Sequence, residues 1–266
     1  MLYRGTLQYD GTAFHGWQVQ PDVRTVQGDV EAAVSRLEDR EVRVESAGRT
    51  DRGVHAAGQE ISFEARRDWE PGELPRALNA VLPQEVCVER LRPAQEAFHP
   101  RFDARRRRYE YFLSPAPAPG SPLRRDRVWS TGEGLDRDLL SRAAEPVAGE
   151  KSFEAFAKAG QPERGTRCDV TRVEWSTTVL GDLRLHVEAD RFLHHMVRYL
   201  VSTMVDEATG RRKPGELDDL LAGEEGPRPP SPAPPQGLYL TGVRYDDGWN
   251  RPAGVPGLVA ADGGEA

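Results

Sequence analysis

The amino-acid sequence predicts an α+β protein made of two comparable halves. Segments with strand-like alternation and segments with helical periodicity recur on both sides of residue 100, where the pair His99-Pro100 interrupts the pattern. The chain has 266 residues, of which 38% are hydrophobic, and that is enough to build a sizeable core. A charged fraction of 30% predicts a well-hydrated surface.

The first half is predicted to run strand, helix, strand, loop, strand, helix. Residues 2–9 read as a strand that ends at the turn pair Asp10-Gly11. A helix is predicted to start after Thr25 as its N-cap, because apolar residues then recur on one face. The other predicted elements are a strand at 42–46, a Gly-rich loop at 48–53, a strand at 59–64 and a short helix at 73–82.

The second half is predicted to repeat this alternation. Its strongest helical pattern covers residues 192–209, where Phe192, Met196, Leu200 and Met204 are four positions apart. The other predicted elements are strands at 108–113, 171–178, 183–189 and 238–245, a helix at 135–144, and Pro-rich loops at 115–122 and 226–237. We therefore expect one half at 1–100, a second at 101–245, and an acidic, disordered tail at 246–266.

Composition excludes several classes of protein. Cys87 and Cys168 are the only two cysteines and are far apart in the chain, so a disulfide framework and a cysteine zinc site are not expected. No apolar run approaches the length of a membrane helix, and the N-terminus lacks the character of a signal peptide. The sequence therefore predicts a cytoplasmic protein without membrane attachment.

Charge is distributed unevenly along the chain. The formal net charge is −7, from 36 basic and 43 acidic residues. Between Arg101 and Arg127, however, eight arginines accompany only three acidic residues. Because affinity for phosphates depends on a local basic face, the negative total does not exclude an anionic substrate such as a nucleic acid.

The Gly-rich loop contains the most informative residues of the sequence. Asp51 is flanked by Arg49 and Arg52 and bracketed by Gly48 and Gly53, which permit tight turns and close approach to a ligand. A carboxylate in such a loop is a candidate catalytic group, although in an arbitrary protein a solvated turn residue is the commoner interpretation.

The segment GRTDRGVHA at 48–56 closely resembles the catalytic loop of the tRNA pseudouridine synthase A family. Further motifs of that family occur in the same order over about residues 2–245: YDGTAFHGWQVQ at 9–20, TVQG at 25–28, RRYEYF at 107–112, FLHHMVR at 192–198 and PAPPQGLYL at 232–240. Arg52 replaces the more usual Ala or Lys. The resemblance implies the pseudouridine synthase fold, with two similar halves, mainly antiparallel sheets and a cleft between them.

The resemblance also implies an activity. It is the isomerisation of uridine to pseudouridine at positions 38, 39 and 40 of the tRNA anticodon stem-loop, by a homodimer that needs no cofactor or metal. By position in the motifs, Asp51 would be the catalytic nucleophile, Tyr109 would stack on the displaced uracil, and Arg198 would pair with Asp51. The sequence leaves open whether Asp51 attacks the base or acts at the sugar.

Several further residues are candidates for RNA contact. Arg49 resembles a family arginine that holds the place of the flipped nucleotide, and Arg52 and Gln18 are expected to face RNA. The basic run Arg105, Arg106, Arg107 and Arg108 is expected to follow phosphates. Trp17 fits either an RNA contact or the core. His194 and His195 lack neighbouring ligands in the sequence, so no metal site is predicted.

Two other functions fit the sequence less well. A non-catalytic RNA-binding module on the same fold would have no chemical reason to keep Asp51, Tyr109 and Arg198 together. A nucleoside hydrolase would require a cluster of aspartates for a metal ion and ribose, and the sequence contains no such cluster.

Overall fold

The structure is a computed structural model that describes residues 1–67, 69–70, 72–115, 121–132, 134–157, 165–223 and 228–258. Its strands, in chain order, are β1 (Leu2–Tyr9), β2 (Glu45–Ser46), β3 (His55–Glu64), β4 (Val86–Pro93), β5 (Arg106–Ser114), β6 (Trp129–Ser130), β7 (Gly149–Ser152), β8 (Arg167–Thr177), β9 (Leu183–Ala189), β10 (Leu238–Tyr245) and β11 (Gly248–Trp249). Its α-helices are α1 (Val26–Glu38), α2 (Glu73–Val81), α3 (Arg137–Ala144), α4 (Met196–Ala208) and α5 (Glu216–Ala222). This mixture of helices and mostly antiparallel strands confirms the predicted α+β class.

The described chain divides into two compact units. Unit 1 comprises Met1–Arg105 and Tyr239–Val255, and unit 2 comprises Arg106–Leu238 and 256–258. The expected second half, 101–245, is therefore corrected at both ends, most clearly at β10. Tyr239 and Leu240 pair in parallel with His55 and Ala56 of β3, which brings the end of the chain back to its first part. Periodicity along the sequence does not reveal such long-range pairing.

The expected disordered tail is also corrected. Residues 246–258 are folded, and β11 pairs with β10. The buried Asn250 side chain anchors this segment: its Nδ2 donates to the Gly58 carbonyl and to Glu60 Oε2, both at 3.0 Å, while its Oδ1 accepts from Val243 N–H at 2.9 Å. A buried amide with several partners holds the segment in place. Residues 259–266 lie outside the described residues.

Unit 1 is built on a sheet with the strand order β4-β1-β3-β10. β1 lies antiparallel to both β3 and β4. Its register with β3 shifts between Leu7, which pairs with Gln59, and Tyr9, which pairs with Ala56. The predicted N-cap of α1 is confirmed, since Thr25 Oγ1 accepts from Gly28 N–H at 3.3 Å.

Unit 2 is built on the antiparallel strand order β5-β9-β8-β7, with β6 parallel to β5. Because side chains alternate across a strand, Arg107, Tyr109 and Tyr111 lie on one face of β5. Arg108 and Glu110 lie on the other face, and both are buried. The Pro-rich loop at 115–122 falls partly outside the described residues, as does the first part of the loop at 226–237.

The helix predicted at 192–209 begins four residues later, at Met196. His195 has φ +68°, a left-handed conformation that a helix cannot contain, and the turn before α4 is closed by the Met196 N–H, which donates to the Leu193 carbonyl at 3.1 Å. Sequence analysis also missed α5, whose first turn is held by a side chain of α4. The carboxylate of Glu207 accepts from Gly215 N–H at 3.1 Å and from Leu217 N–H at 2.7 Å.

None of the helices in the described ranges combines the length and apolar character needed to cross a lipid bilayer.

The two cysteines provide a direct check of the fold. Cys168 is 1% exposed, and burial raises the pKa of its thiol to about 11, whereas Cys87 is exposed. We predict that a thiol-reactive disulfide reagent at pH 8 labels one thiol per native chain and two per denatured chain. Native Cys87→Ser should then be unreactive, and rapid labelling of that variant would contradict the placement of β8.

Candidate active site

The loop at 48–54 joins β2 to β3 and presents Asp51. The Thr50 side chain is buried, Asp51 is half-buried, and Arg49 and Arg52 are exposed. Gly53 has φ +77°, and the Val54 N–H donates to the Asp51 carbonyl at 3.1 Å, which closes a tight main-chain turn that begins at Asp51. The loop thus places one acidic side chain between two solvent-facing cations.

Two polar side chains of the sheet hold the loop from inside unit 1. Thr50 Oγ1 forms a 2.8 Å hydrogen bond with the Tyr9 hydroxyl, and Gln59 Nε2 donates to the Gly48 carbonyl at 2.6 Å. Burial raises the pKa of Tyr9 to about 12, although hydrogen bonds with Thr50 and Gln59 oppose that rise. The Tyr9 hydroxyl therefore keeps its proton throughout the neutral range.

The segment at 14–17 holds the same loop from a second side. The Trp17 N–H donates to the Thr50 carbonyl at 3.0 Å, and the Gly53 N–H donates to the Phe14 carbonyl at 3.3 Å. Gly16 has φ +97°, and a Cβ at this position would lie 2.7 Å from the Thr50 carbonyl oxygen. Only glycine meets both conditions.

Within unit 1, the motif at 9–20 contacts the motifs at 25–28 and 48–56. The Gln27 N–H donates to the Trp17 carbonyl at 2.9 Å, so the start of α1 adjoins the segment that supports the Asp51 loop. Gln18 is exposed near this junction. Trp17 is buried, and its ring centroid lies 6.1 Å from that of Tyr9. Of the two expectations for Trp17, an RNA contact or a core residue, the structure therefore supports the core residue.

Asp10 and His55 fix the end of the loop at the start of β3. Asp10 Oδ1 lies 3.2 Å from His55 Nδ1, and this hydrogen bond is the main cause that holds the pKa of Asp10 well below its usual range. The buried His55 ring also stacks on Tyr239 at 4.6 Å.

In unit 2, Tyr109 lies on β5 with 9% of its surface exposed and meets the Phe192 ring edge-to-face at 5.1 Å. Tyr111, on the same face, is fully buried and donates to the Pro234 carbonyl at 2.8 Å. A Cβ on Gly237 would lie 2.6 Å from the Tyr111 ring. The segment at 234–237 therefore packs directly on the strand that carries Tyr109.

Arg198 is half-buried on α4 and is held by the same segment. Its Nε donates to the Ala233 carbonyl at 2.6 Å, and its own carbonyl accepts from the Ala233 N–H at 3.0 Å. The positive charge of Arg198 lies close enough to Tyr111 to lower the pKa of that phenol, against the larger rise caused by burial. Arg198 is thus oriented by main-chain contacts within unit 2.

The four arginines at 105–108 do not form one basic face. Arg105 is exposed in unit 1 and binds the Asp246 carboxylate through Nε and Nη2 at 2.8 and 3.1 Å. In unit 2, Arg106 pairs with Asp169 at 3.2 Å, and Arg107 donates to the Asp190 carbonyl at 2.9 Å. Arg108 is only 4% exposed, opposite Glu188 in the sheet. Strand alternation and burial therefore remove Arg108 from the expected RNA-binding set.

Sequence analysis did not identify Tyr9 and Gln59 as parts of this site. Tyr9 is the first residue of the motif YDGTAFHGWQVQ, to which the family resemblance assigned no role at this position. Nothing in the sequence indicated that Gln59 is buried, because the strand HAAGQEISFE also contains the polar residues Glu60 and Ser62.

Comparison with known proteins gives one consistent family. The family model described as tRNA pseudouridine synthase matches residues 6–103 and 143–246. A tRNA pseudouridine synthase A from Chlorobaculum tepidum is 40% identical over 246 residues, covering 90% of this chain and 96% of that protein. The proteins of the same name from Myxococcus xanthus and Chlorobium phaeovibrioides are 38% identical over 252 residues and 35% identical over 240 residues. They cover 95% and 90% of this chain, and 94% and 97% of their own lengths.

The close approach of Gly16 to the Thr50 carbonyl can be tested through stability. We predict that Gly16→Ala lowers the free energy of unfolding by about 2–5 kcal/mol, because left-handed strain and overpacking act together. Gly72→Ala is the matched control: its φ is also positive, +80°, but no atom lies within 4 Å of the added Cβ. The control should lose about 1–2 kcal/mol in urea denaturation. Equal losses in the two variants would contradict the contact.

Proposed function

The chain belongs to the tRNA pseudouridine synthase family, and from that premise we propose that it converts uridine to pseudouridine in the anticodon stem-loop of tRNA, with Asp51 as the catalytic carboxylate. The observation that supports the proposal is the geometry of the loop at 48–54. Hydrogen bonds hold its main chain on both sides of the half-buried Asp51 carboxylate, while the side chains of Arg49 and Arg52 are exposed to solvent.

The reaction is redox-neutral and conserves all atoms of the nucleotide. The bond from ribose C1′ to uracil N1 breaks, the uracil turns, and a bond from C1′ to C5 forms. The proton leaves C5, and N1 ends protonated. A carboxylate serves this sequence as a nucleophile towards the nucleotide or as an anion that stabilises positive charge at C1′.

Unit 2 supplies the other proposed site residues. Tyr109 is assigned to stack on the displaced uracil, because base–aromatic stacking is worth about 1–3 kcal/mol and offsets the cost of flipping a base. Arg198 is assigned to pair with Asp51, and its main-chain contact with Ala233 supports that role by orienting the guanidinium. Such a pair would keep the carboxylate ionised and aligned.

The proposed RNA contacts are the exposed side chains of unit 1 near Asp51, namely Arg49, Arg52 and Gln18. Arg105, Arg106 and Arg107 remain secondary candidates, since phosphates would have to compete with their present acidic and carbonyl partners.

We propose further that the protein acts in the cytoplasm as a homodimer, a state that rests on family resemblance. Sedimentation of the purified protein tests the subunit number, and a fully active monomer would contradict it.

Asp51 provides the central test of the activity. We predict that Asp51→Asn abolishes pseudouridine formation on unmodified tRNA and changes tRNA affinity by less than about threefold, because the carboxylate performs chemistry and attracts no phosphate. Pseudouridine is mapped by position, with modification expected at 38, 39 and 40. Retention of about a tenth of the wild-type rate would contradict the assignment.

The products of that assay separate the alternatives. A non-catalytic RNA-binding module would bind tRNA and produce no pseudouridine with the wild-type chain. A nucleoside hydrolase would release free uracil.

Arg49 and Arg52 provide a test of RNA binding. We predict that Arg49→Gln with Arg52→Gln flattens the plot of log affinity against log salt by about 0.7–0.9 per lost phosphate contact. Arg36→Gln is the control, since Arg36 is exposed in the last turn of α1 and outside the proposed site. Filter binding at several salt concentrations measures the slopes. Equal slopes for the double variant and the wild type would show that these arginines contact no phosphate.

A further inference from the structure

Gln59 is an unusual residue for the middle of the central strand β3. Its side chain is 0% exposed, and its Nε2 donates to the Gly48 carbonyl at 2.6 Å. Within the part of the chain that the structure describes, its Oε1 has no hydrogen-bond partner. A buried amide that is only partly satisfied destabilises a fold relative to an apolar side chain of similar size. Packing alone does not account for a glutamine here.

Tyr9 makes the second buried polar contact to the same loop. Its hydroxyl bonds to Thr50 Oγ1 at 2.8 Å and lies 3.5 Å from Gln59 Nε2, so three side chains form one connected group. The register of β1 against β3 shifts between Leu7 and Tyr9, so that Tyr9 pairs with Ala56, two residues after the loop at 48–54. Within this group, Tyr9 and Gln59 hold the loop at two points on the N-terminal side of Asp51, the Thr50 side chain and the Gly48 carbonyl.

We infer that Tyr9, Thr50 and Gln59 are positioning residues for pseudouridine formation, which hold Asp51 at the distance and orientation the reaction requires. This inference rests on the proposed function of Asp51. None of the three is assigned a contact with the nucleotide; they act through the path of the main chain at 48–51.

The energetic argument concerns the placement of a reacting group. A displacement of about 1 Å at a catalytic atom lowers a rate up to about 100-fold, while binding through remote contacts is unaffected. Removal of the support should therefore lower kcat and leave KM nearly unchanged. A residue that served stability alone would lower the melting temperature and leave the kcat of the folded protein at its wild-type value.

The experiment measures kcat, KM and melting temperature on unmodified transcribed tRNA. Tyr9→Phe and Thr50→Val each remove one end of the 2.8 Å hydrogen bond and keep the shape of the side chain. We expect each to lower kcat by about 10- to 100-fold with KM within about threefold. The double variant should be no slower than the slower single variant, because both changes delete the same contact. Thr50→Ser, which keeps the hydroxyl, should restore most of the rate.

Tyr3→Phe is the matched control. Tyr3 is a buried tyrosine of the same strand, stacked on Phe63 at 6.2 Å, and pairs with β3 seven residues beyond Ala56. Its kcat should stay within about twofold of the wild type. Gln59→Leu should also lower kcat, because the Gly48 carbonyl loses its 2.6 Å donor and keeps the longer contact with Ser46 Oγ at 3.4 Å.

The outcomes distinguish this inference from the proposed function. If Asp51→Asn is inactive while Tyr9→Phe and Thr50→Val keep the wild-type kcat, the positioning inference is overturned and the catalytic role of Asp51 stands. If the fold-decreases in kcat of Tyr9→Phe and Thr50→Val multiply in the double variant, the two side chains do not act through one shared hydrogen bond, and the inference is overturned. If Asp51→Asn keeps its activity, both proposals fail together.

Discussion

The antiparallel pairing of β1 with β3 sets the position of the Asp51 loop in unit 1. It places the turn after Tyr9 beside the residues that lead into β3, so that the backbone of Gly11 lies against the Val54 carbonyl. A side chain on Gly11 would occupy the position of that carbonyl. The loop at 48–54 is therefore fixed at its C-terminal end by the sheet itself, and it cannot shift as a whole without breaking strand pairs.

The same pairing explains how a reactive carboxylate is held on a loop. Loops are usually mobile because water can replace their main-chain hydrogen bonds. In this loop, by contrast, the main-chain carbonyls of Gly48, Thr50 and Asp51 each accept a hydrogen bond from within unit 1. Thr50 points into the protein, whereas its neighbours Arg49 and Asp51 remain accessible. A rigid main chain and accessible side chains coexist because successive residues face opposite ways.

Unit 2 orients its candidate residues by a different means. The Pro-rich stretch at 232–237 is not part of a strand, because proline lacks the N–H that strand pairing requires. Its main-chain carbonyls accept hydrogen bonds from side chains instead. These carbonyls receive the Tyr111 hydroxyl and Arg198 Nε, and Gly237 permits contact with the Tyr111 ring. A segment that composition describes only as an extended loop thus contacts side chains of two elements, Tyr111 of β5 and Arg198 of α4.

The α+β class, the family, and elements with local signals could be predicted from the amino-acid sequence, among them β1, β9, β10 and the Thr25 cap of α1. Asp51 was likewise predicted as the candidate carboxylate. The return of β10 to unit 1, the start of α4 after a left-handed His195, and the burial of Arg108 opposite Glu188 could not be predicted from sequence. The same holds for the support of the Asp51 loop by Tyr9 and Gln59. Strand partners, positive φ angles and burial depend on residues distant in the chain, and local periodicity contains no information about those partners.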